Sequence, residues 1–167
     1  MNACTIIAHN YAAYARVLAT SYSRHHPGER LSALVIDGEV LPLDTGSEPF
    51  ETILPAQLSL PAGEFRKMAS IYDVTELATA VKPFFLQFLF ERGADAVMFL
   101  DPDIEVFAPL EELGRLAREH AIVLIPHTLR PIPADGRKPT LADLGASGVY
   151  NLGFIAVGPE AHSFLEW

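Results

Sequence analysis

Two carboxylates separated by one proline form the part of this sequence best suited to chemistry. Asp101 and Asp103 directly follow residues 97–100, an apolar run typical of a buried strand. In extended backbone, this spacing places both side chains on one face. Pro102 fixes its own φ and restricts Asp101, so little freedom remains to be lost on binding. Such a sparse oxygen pair suits a hard divalent cation that keeps waters and takes phosphate oxygens.

Three other roles are known for an Asp-Pro-Asp segment, and two of them conflict with this sequence. A phosphatase of the haloacid dehalogenase type expects Thr or Val two residues after the second aspartate, where this chain has Glu105. A calcium loop of the EF-hand type needs a turn glycine at its sixth position, which here is Val106. Aspartate is also common in solvated turns. That third role stays open, because two aspartates alone are weak evidence for a metal.

Further polar residues follow the other predicted strands, each at the point where the strand ends. His9 and Asn10 follow the first strand, and Asp37 follows the second. His127 follows a later strand. Ligands of open α/β sheets bind outside the carboxyl ends of the strands. We therefore expect these side chains and the two aspartates to lie along one edge of a sheet.

Hydrophobic periodicity predicts strands that alternate with helices, an order that favours a parallel sheet with right-handed crossovers. The predicted strands are residues 3–8, 31–36, 97–100, 121–125 and 148–157, and predicted helices are residues 11–25 and 111–119. A capping box at Asp73 starts another helix, which the pair Lys82-Pro83 is expected to kink or restart before the apolar residues 84–90. Residues 39–63 are predicted to be irregular, with room for one edge strand.

The composition limits the kinds of protein this chain could be. With 167 residues, half of them hydrophobic, the chain is predicted to bury one core as a single domain. A formal net charge of -9 argues against a broad surface for nucleic acid or anionic membrane. No apolar run approaches the ~18–20 residues of a membrane-spanning helix. Because Cys4 is the only cysteine, we expect a buried structural thiol and a cytoplasmic location.

Three separated segments carry a resemblance to a known family. They are CTIIAHNYAAYA at residues 4–15, VMFLDPDIEVFAPLEEL at residues 97–113 and GVYNLGFIAVGPE at residues 148–160. Together they resemble nucleotide-sugar glycosyltransferases of the GT-A fold, especially the glycogenin-like family 8 and a related bacterial group. The resemblance implies a Rossmann-like α/β domain over residues 1–167, with a mostly parallel sheet and helices on both faces. It also implies the N-terminal, donor-binding portion of a longer protein.

The resemblance also implies a set of site residues. Asp101 and Asp103 match the paired aspartates that hold Mn²⁺ or Mg²⁺ against the donor diphosphate, and Lys82 matches a basic residue beside the phosphates or the sugar. The implied donor-binding residues are Ala8, His9, Asn10, Tyr14, Lys82, Leu100, Asn151 and Gly153. The first four belong to the nucleoside-binding loop, and the last two belong to the strand that borders the donor sugar.

The implied activity is metal-dependent transfer of a sugar, of the hexosyltransferase type, from a nucleoside-diphosphate donor to an unidentified acceptor. The alternative is a non-catalytic nucleotide-sugar-binding or assembly module that keeps the fold. A nucleotidyltransferase is disfavoured, because it needs a glycine-rich basic loop where this chain has His9-Asn10-Tyr11. Asp135 or Asp143 could be nominated as a general base, with little to support either.

Some further residues are secondary candidates for the same site. Arg66 and Lys67 could reach the diphosphate, and His127 could face the acceptor or the metal. The family usually adds a metal-binding histidine from its C-terminal part, and no matching segment occurs before Trp167. We therefore expect the two aspartates to be an incomplete set of metal ligands.

Overall fold

A computed structural model describes residues 1–40, 43–44 and 46–166, and six strands form one sheet within that part of the chain. The strands are β1 (Asn2–Ile7), β2 (Ser32–Val35), β3 (Glu51–Ile53), β4 (Val97–Leu100), β5 (Ile122–Pro126) and β6 (Tyr150–Val157). Their order is β3-β2-β1-β4-β6-β5. The first four in this order are parallel, whereas β6 is antiparallel to both β4 and β5. The prediction of a mostly parallel sheet is confirmed.

The central strands are apolar at nearly every position because both of their faces are covered. Every residue of β2 and β4 is buried, as expected for parallel strands between two layers of helices. β6 is longer than its partner β4, and its first three residues are exposed. Those three residues extend past Leu100, where β4 ends. They therefore stand beside whatever the carboxyl end of β4 presents.

Helices connect and cover these strands in the described residues. They are α1 (Ala12–His25), α2 (Glu64–Ile71), α3 (Val74–Glu91), α4 (Glu111–His120), α5 (Leu141–Ser147) and α6 (His162–Leu165), with short 3₁₀ turns at His9–Tyr11, Pro55–Gln57 and Pro159–Ala161. The helices predicted over residues 11–25 and 111–119 correspond to α1 and α4, within one residue at each end. No helix in the described ranges is long and apolar enough to cross a membrane.

A separate hydrophobic core lies on each face of the sheet. On one face, α1 and α4 pack Leu18 and Ala117 into a cluster that includes Met98 of β4. On the other face, α3 packs Phe85 into a cluster that includes Cys4 of β1. Cys4 has no exposed surface, and burial raises the pKa of its thiol. Both the two-sided helix packing and the buried structural thiol therefore agree with the sequence-based predictions.

Helix α3 begins where the capping box predicts. The Asp73 carboxylate accepts hydrogen bonds from the backbone N–H groups of Thr75 and Glu76, each over 2.8 Å. In return, the Glu76 carboxylate accepts one from the backbone N–H of Asp73 over 3.0 Å. These bonds satisfy backbone donors that would otherwise lack partners at the start of the helix.

The same helix continues through Pro83, so of the predicted kink or restart at Lys82-Pro83 the restart does not occur, and the kink stays a prediction. A proline inside a helix costs about 3 kcal/mol, because it removes one hydrogen bond and crowds the preceding turn. Val81 and Phe85 flank this point and are completely buried. Because each such side chain stabilises the fold by about 1.5–3 kcal/mol when buried, packing outweighs the local penalty.

The described residues after β2, at 36–40, 43–44 and 46–63, are mostly irregular, in agreement with the prediction for residues 39–63. Within them, β3 forms the edge of the sheet next to β2, which is the edge strand that the prediction allowed for. Leu41, Pro42 and Thr45 lie outside the described residues.

The sequence-based prediction omits α5, although the Thr140 hydroxyl accepts a hydrogen bond from the backbone N–H of Asp143 in a second capping box.

We expect Gly158→Ala to destabilise the fold far more than Gly114→Ala. A Cβ at Gly158 would overlap the carbonyl oxygen of Ala117, a backbone atom that cannot move without shifting α4. At Gly114, a Cβ would meet the flexible end of the Met1 side chain. Gly158→Ala should lower the free energy of unfolding by about 2–3 kcal/mol. Gly114→Ala should change it by less than about 1 kcal/mol. Urea denaturation measures both, and equal losses would contradict this packing.

Candidate functional site

A cavity of about 370 Å³ opens at the carboxyl ends of β1, β2 and β4. Its other walls come from α3 and from the first part of β6. Five residues that the sequence predicted for the site line it together, namely Ala8, Asn10, Lys82, Asp101 and Asp103. This is the strand edge at which ligands of open α/β sheets bind. The cavity is therefore the candidate functional site.

The segment Asp101-Pro102-Asp103 forms a tight turn, so the predicted extended backbone is wrong. The backbone N–H of Ile104 donates to the carbonyl oxygen of Asp101 over 3.1 Å, which closes a four-residue turn. Proline is favoured at the second position of such turns, where Pro102 lies. Asp101 is half-buried and Asp103 is exposed, and both line the cavity. The turn thus still presents both carboxylates to one space.

The strand β6 holds Asp101 in place. The backbone N–H of Asp101 donates to the carbonyl oxygen of Gly153 over 2.8 Å, one residue beyond the β4–β6 pairing. The N–H of Gly153 in turn donates to Oδ1 of Asn151 over 2.8 Å. A Cβ built on Gly153 would lie 2.8 Å from Oδ2 of Asp101 and 3.0 Å from Oδ1 of Asn151. Both oxygens therefore occupy space that any side chain at residue 153 would need.

Lys82 places a positive charge beside Asp101. Its Nζ donates to the carbonyl oxygen of Leu152 over 3.2 Å and lies 3.7 Å from the centroid of the Phe99 ring. Burial lowers the pKa of Lys82, and the negative charge of Asp101 opposes that lowering. Burial raises the pKa of Asp101, Lys82 opposes the rise, and Asp103 adds to it. Lys82 and Asp101 thus stabilise each other's charged form in a half-buried place.

The 3₁₀ turn after β1 shapes the opposite end of the cavity. The backbone N–H of His9 donates to both carboxylate oxygens of Asp37, over 2.9 and 3.0 Å, so Asp37 fixes this turn. Asn10 and Tyr11 line the cavity, whereas His9 and Tyr14 are not among its lining residues. The centroids of the Tyr14 and Tyr11 rings are 5.4 Å apart. Tyr14 therefore packs beside a cavity residue that the sequence-based prediction missed.

One face of α3 also lines the cavity, and the prediction included only Lys82 from it. Thr75, Ala78 and Thr79 precede Lys82 at helical spacing and share its face. The Thr79 hydroxyl donates to the carbonyl oxygen of Thr75 over 3.0 Å. Counting back from Lys82 in steps of three and four along the predicted helix is the signal that could have found these residues.

Three predicted donor-binding residues adjoin the cavity without lining it. Leu100 is 3% exposed and its side chain packs in the core below the two aspartates. Asn151 is exposed at the start of β6, and Gly153 contacts the Asp101 carboxylate. Leu152 lies between them and does line the cavity. This part of β6 is therefore a wall of the site, with Asn151 and Gly153 next to the opening.

The secondary candidates lie elsewhere. Arg66 and Lys67 belong to α2 and do not line the cavity, and Nζ of Lys67 lies 3.5 Å from the Glu64 carboxylate. Nδ1 of His127 lies 3.0 Å from the carbonyl oxygen of Gly148, beyond the end of β5. The structure therefore gives none of these three side chains a direct contact with the cavity.

The ligand atoms in the cavity suit a cation that is shared with a bound molecule. In the described ranges, no group of three or more His, Cys, Asp or Glu side chains is placed to hold a metal. Two aspartates, Asp101 and Asp103, face the cavity. Mg²⁺ is typically bound by one or two carboxylates and completes its shell with waters and substrate phosphates. Asp101 and Asp103 thus fit a divalent ion that a phosphate-bearing ligand helps to coordinate.

Comparison with solved structures identifies proteins of similar fold. A galactosyltransferase, LgtC, solved with donor and acceptor sugar analogues, matches with a TM-score of 0.60 and 16% identity over 100% of this chain and 60% of its own. The glycosyltransferase GlyE of Streptococcus pneumoniae matches with a TM-score of 0.54 and 16% identity, over 98% of this chain and 35% of its own. Mouse xyloside xylosyltransferase 1 matches with a TM-score of 0.51 and 15% identity, over 97% of this chain and 68% of its own.

These likenesses confirm the predicted GT-A fold. At identities of 14–19% they show the fold alone. This chain spans 60% of the length of LgtC. No protein-family model and no curated protein matches the sequence.

Proposed function

We propose that this chain binds a nucleoside-diphosphate sugar together with Mn²⁺ or Mg²⁺ and serves as the donor-binding domain of a hexosyl-type glycosyltransferase. The observation that carries the proposal is the convergence of Asn10, Lys82, Asp101 and Asp103, from three separate segments, on one cavity. A chain of net charge -9 repels an anion unless cations meet that anion locally. Lys82 and an ion held by the aspartates supply those positive charges.

The lining of the cavity favours one orientation of the donor. Ile36 and Tyr11 give the β1–β2 end an apolar and aromatic surface that suits a nucleobase. The side-chain amide of Asn10 and the backbone of Ala8 offer hydrogen-bonding groups to base and ribose. The diphosphate then lies near the turn at Asp101, at the opposite end. The sugar follows toward the start of β6.

The chain's own residues divide the work of transfer. In the reaction, the bond between the anomeric carbon and a phosphate oxygen breaks, a bond from that carbon to an acceptor hydroxyl oxygen forms, and the proton of that hydroxyl passes to solvent or to the departing diphosphate. When bound, a divalent ion offsets the negative charge that grows on the departing diphosphate. Asp101 and Asp103 would hold that ion, and Gly153 leaves room for the Asp101 carboxylate. Lys82, fixed by the Leu152 carbonyl oxygen, adds a second positive charge.

A specific observation favours a second candidate, a donor-binding module without turnover. Among the described residues that line the cavity, the ionisable side chains are Tyr11, Lys82, Asp101 and Asp103. Assigning both aspartates to the metal leaves no carboxylate or histidine in that lining to act as a general base. Asp143, one nominated base, is engaged in the cap of α5. Measured release of free sugar from a bound donor would favour the enzyme, and binding without release would favour the module.

Calorimetric titration tests the proposal directly. We expect one member of a panel of nucleoside diphosphates to bind in the presence of Mn²⁺ and to bind at least about tenfold more weakly in EDTA. The matching nucleoside monophosphate is the control, and it should bind more weakly because it has fewer phosphate oxygens to share with the ion. Equal affinity with and without Mn²⁺, or no binding by any member, would contradict the proposal.

Lys82→Met should weaken Mn²⁺-dependent nucleotide binding about tenfold to 100-fold, because a charge-assisted contact to phosphate is lost. Methionine can keep the packing against the Phe99 ring. The variant should therefore stay folded, with little change in its melting temperature. Lys67→Met is the matched control, since that lysine is exposed and lies outside the cavity. Equal affinities of the two variants would exclude a role for Lys82.

A further inference from the structure

The loop between β5 and α5 forms a second cleft, of about 410 Å³, whose charge is opposite to that of the chain as a whole. Arg130, Arg137 and Lys138 line it, together with the single carboxylate of Asp135. The chain carries a net charge of -9 with only 12 lysines and arginines, so three cations within nine residues are a marked local concentration. Cations held together in this way repel one another unless an anion lies between them.

The two arginines of this cleft are not neutralised from within. Within the described residues, the guanidinium groups of Arg130 and Arg137 have no hydrogen-bond or ion-pair partner. The Nζ of Lys138 lies 3.8 Å from a carboxylate oxygen of Asp143, and the Lys138 side chain is 86% exposed. An exposed pair at this distance contributes little to stability. The cleft therefore offers free donors of the type that best matches the geometry of carboxylates and phosphates.

Several arginines elsewhere in the chain show the contrast, although the exposed Arg24 and Arg66 also have no partner among the described residues. Arg16 donates two hydrogen bonds to Glu48, Arg92 pairs with Glu51, and Arg115 pairs with two glutamates of its own helix. In those places the sequence supplies a carboxylate for each guanidinium. In the cleft, the only lining carboxylate is that of Asp135 among the described residues, and its Oδ1 accepts from the backbone N–H of Arg137.

Two hydrogen bonds and three prolines restrict the backbone of the loop. The Thr128 hydroxyl donates to the carbonyl oxygen of Arg130 over 2.6 Å, and Asp135 forms its bond to the Arg137 N–H over 3.0 Å. Pro131, Pro133 and Pro139 restrict the segments between these turns. Pre-ordering lowers the entropy lost on binding. The two arginine side chains are thus carried by a backbone whose conformational freedom is restricted.

The cleft lies on the same edge of the sheet as the donor cavity. Pro126 of β5 pairs with Tyr150 of β6, and the backbone N–H of His127 donates to the carbonyl oxygen of Val149. The cleft begins at Thr128, while Leu152 lines the donor cavity. With ~3.3 Å per strand residue and ~4.8 Å between strands, Thr128 at the near rim of the cleft lies about 10–15 Å from Leu152 at the rim of the donor cavity. That separation is comparable to the length of a short sugar acceptor.

We propose that Arg130 and Arg137 bind an oxyanion, a phosphate or a carboxylate, carried by the acceptor sugar. The cleft itself is defined by its own residues, whereas its assignment to the acceptor rests on the proposed function. The chemistry that recognises the ligand is a pair of guanidinium groups facing a group with two or more negative oxygens. A neutral sugar offers no such group and is expected to bind there much more weakly.

An NMR titration of the ¹⁵N-labelled chain in EDTA tests the inference. The probes are glucose 1-phosphate for a phosphate source, glucuronate for a carboxylate source, and glucose as the neutral control. At least one of the two anions should shift the amide signals of residues 128–139, and glucose should not. The anion that shifts them at the lower concentration identifies the source.

Paired variants make the result specific to the cleft. Arg130→Gln with Arg137→Gln should weaken binding of the anion that shifts the loop by about tenfold or more. Arg24→Gln with Arg118→Gln removes the same charge from exposed positions outside the cleft and should leave the affinity unchanged. The inference is overturned if neither anion shifts the amide signals of the loop. It is equally overturned if the control double variant loses as much affinity for the anion as the Arg130 and Arg137 double variant does. It is also overturned if anionic vesicles of phosphatidylcholine and phosphatidylserine shift the loop while both soluble anions do not.

Failure of this inference and failure of the proposed function give different signals. Adding a nucleoside diphosphate with Mg²⁺ should shift residues 8–11 and 101–103, in the chain and in the Arg130 and Arg137 double variant alike. If the nucleotide shifts residues 8–11 and 101–103 but neither anion shifts residues 128–139, only the proposed anion site in the cleft is overturned. Loop shifts without a nucleotide response overturn the donor site, and with it the assignment of the cleft to an acceptor.

Discussion

Asp101→Asn is expected to weaken Mn²⁺-dependent nucleotide binding on the order of 100-fold or more, since loss of even an outer partner of a metal ligand costs 10–100-fold. The substitution removes the charge of one of the two carboxylates that face the cavity. It also takes away the negative charge that supports protonated Lys82. The backbone bond from residue 101 to Gly153 does not depend on the side chain and should persist. Calorimetry with Mn²⁺ measures the loss.

Glu105→Gln provides the matched control for this experiment. Glu105 is exposed, carries the same charge and lies two residues after Asp103, yet it does not line the cavity. Its neutralisation should leave the affinity within about twofold, because an exposed charge contributes little. A similar loss in both variants would mean that overall charge, and not the Asp101 carboxylate, governs binding. Undiminished binding by Asp101→Asn would remove Asp101 from the metal site.

Gly153→Ala is expected to reduce nucleotide binding by about 10–100-fold while the fold remains intact. The added Cβ would lie 2.8 Å from Oδ2 of Asp101, so the carboxylate must turn away from its place. A shift of about 1 Å in a reacting or binding group can cost about 100-fold. Because the displaced atom is the end of a side chain, the free energy of unfolding should fall by only about 1 kcal/mol.

Gly145→Ala is the control for Gly153→Ala. Gly145 lies inside α5, and a Cβ there meets no atom within 4 Å. The control should bind nucleotide as the unmodified chain does and should be up to about 1 kcal/mol more stable, since alanine favours the helix. Thermal unfolding and calorimetry on both variants separate the two effects. Normal binding by Gly153→Ala would show that the Asp101 carboxylate tolerates a different position.

Much of the fold follows from local patterns that tertiary packing reinforces. The runs that form β2 and β4 are apolar without alternation, which is the pattern of strands covered on both faces. The capping box at Asp73 marks the true start of α3. Polar residues at strand ends indicated the edge on which the cavity lies, and Asn10 and Asp101 both line it. These features are local, so sequence alone can reveal them.

Other features depend on contacts between distant segments. Pro83 remains inside α3 because the burial of side chains on both sides of it outweighs the cost of a proline in a helix. Local sequence patterns do not reveal how deeply those side chains are buried. The turn at Asp101 is stabilised in part by a hydrogen bond to Gly153 on another strand. The choice between Tyr11 and Tyr14 depends on how the 3₁₀ turn is tied to Asp37. Sequence spacing cannot resolve such details of geometry.

Anomalous diffraction from crystals soaked with Mn²⁺ and a nucleoside diphosphate tests the central claim most directly. The claim is that Asp101 and Asp103 hold a divalent ion that a diphosphate also binds. It predicts an anomalous peak about 2.0–2.4 Å from a carboxylate oxygen of each aspartate, with phosphate oxygens completing the shell. A bound nucleotide without an ion at these aspartates, or an ion bound only elsewhere, would contradict it.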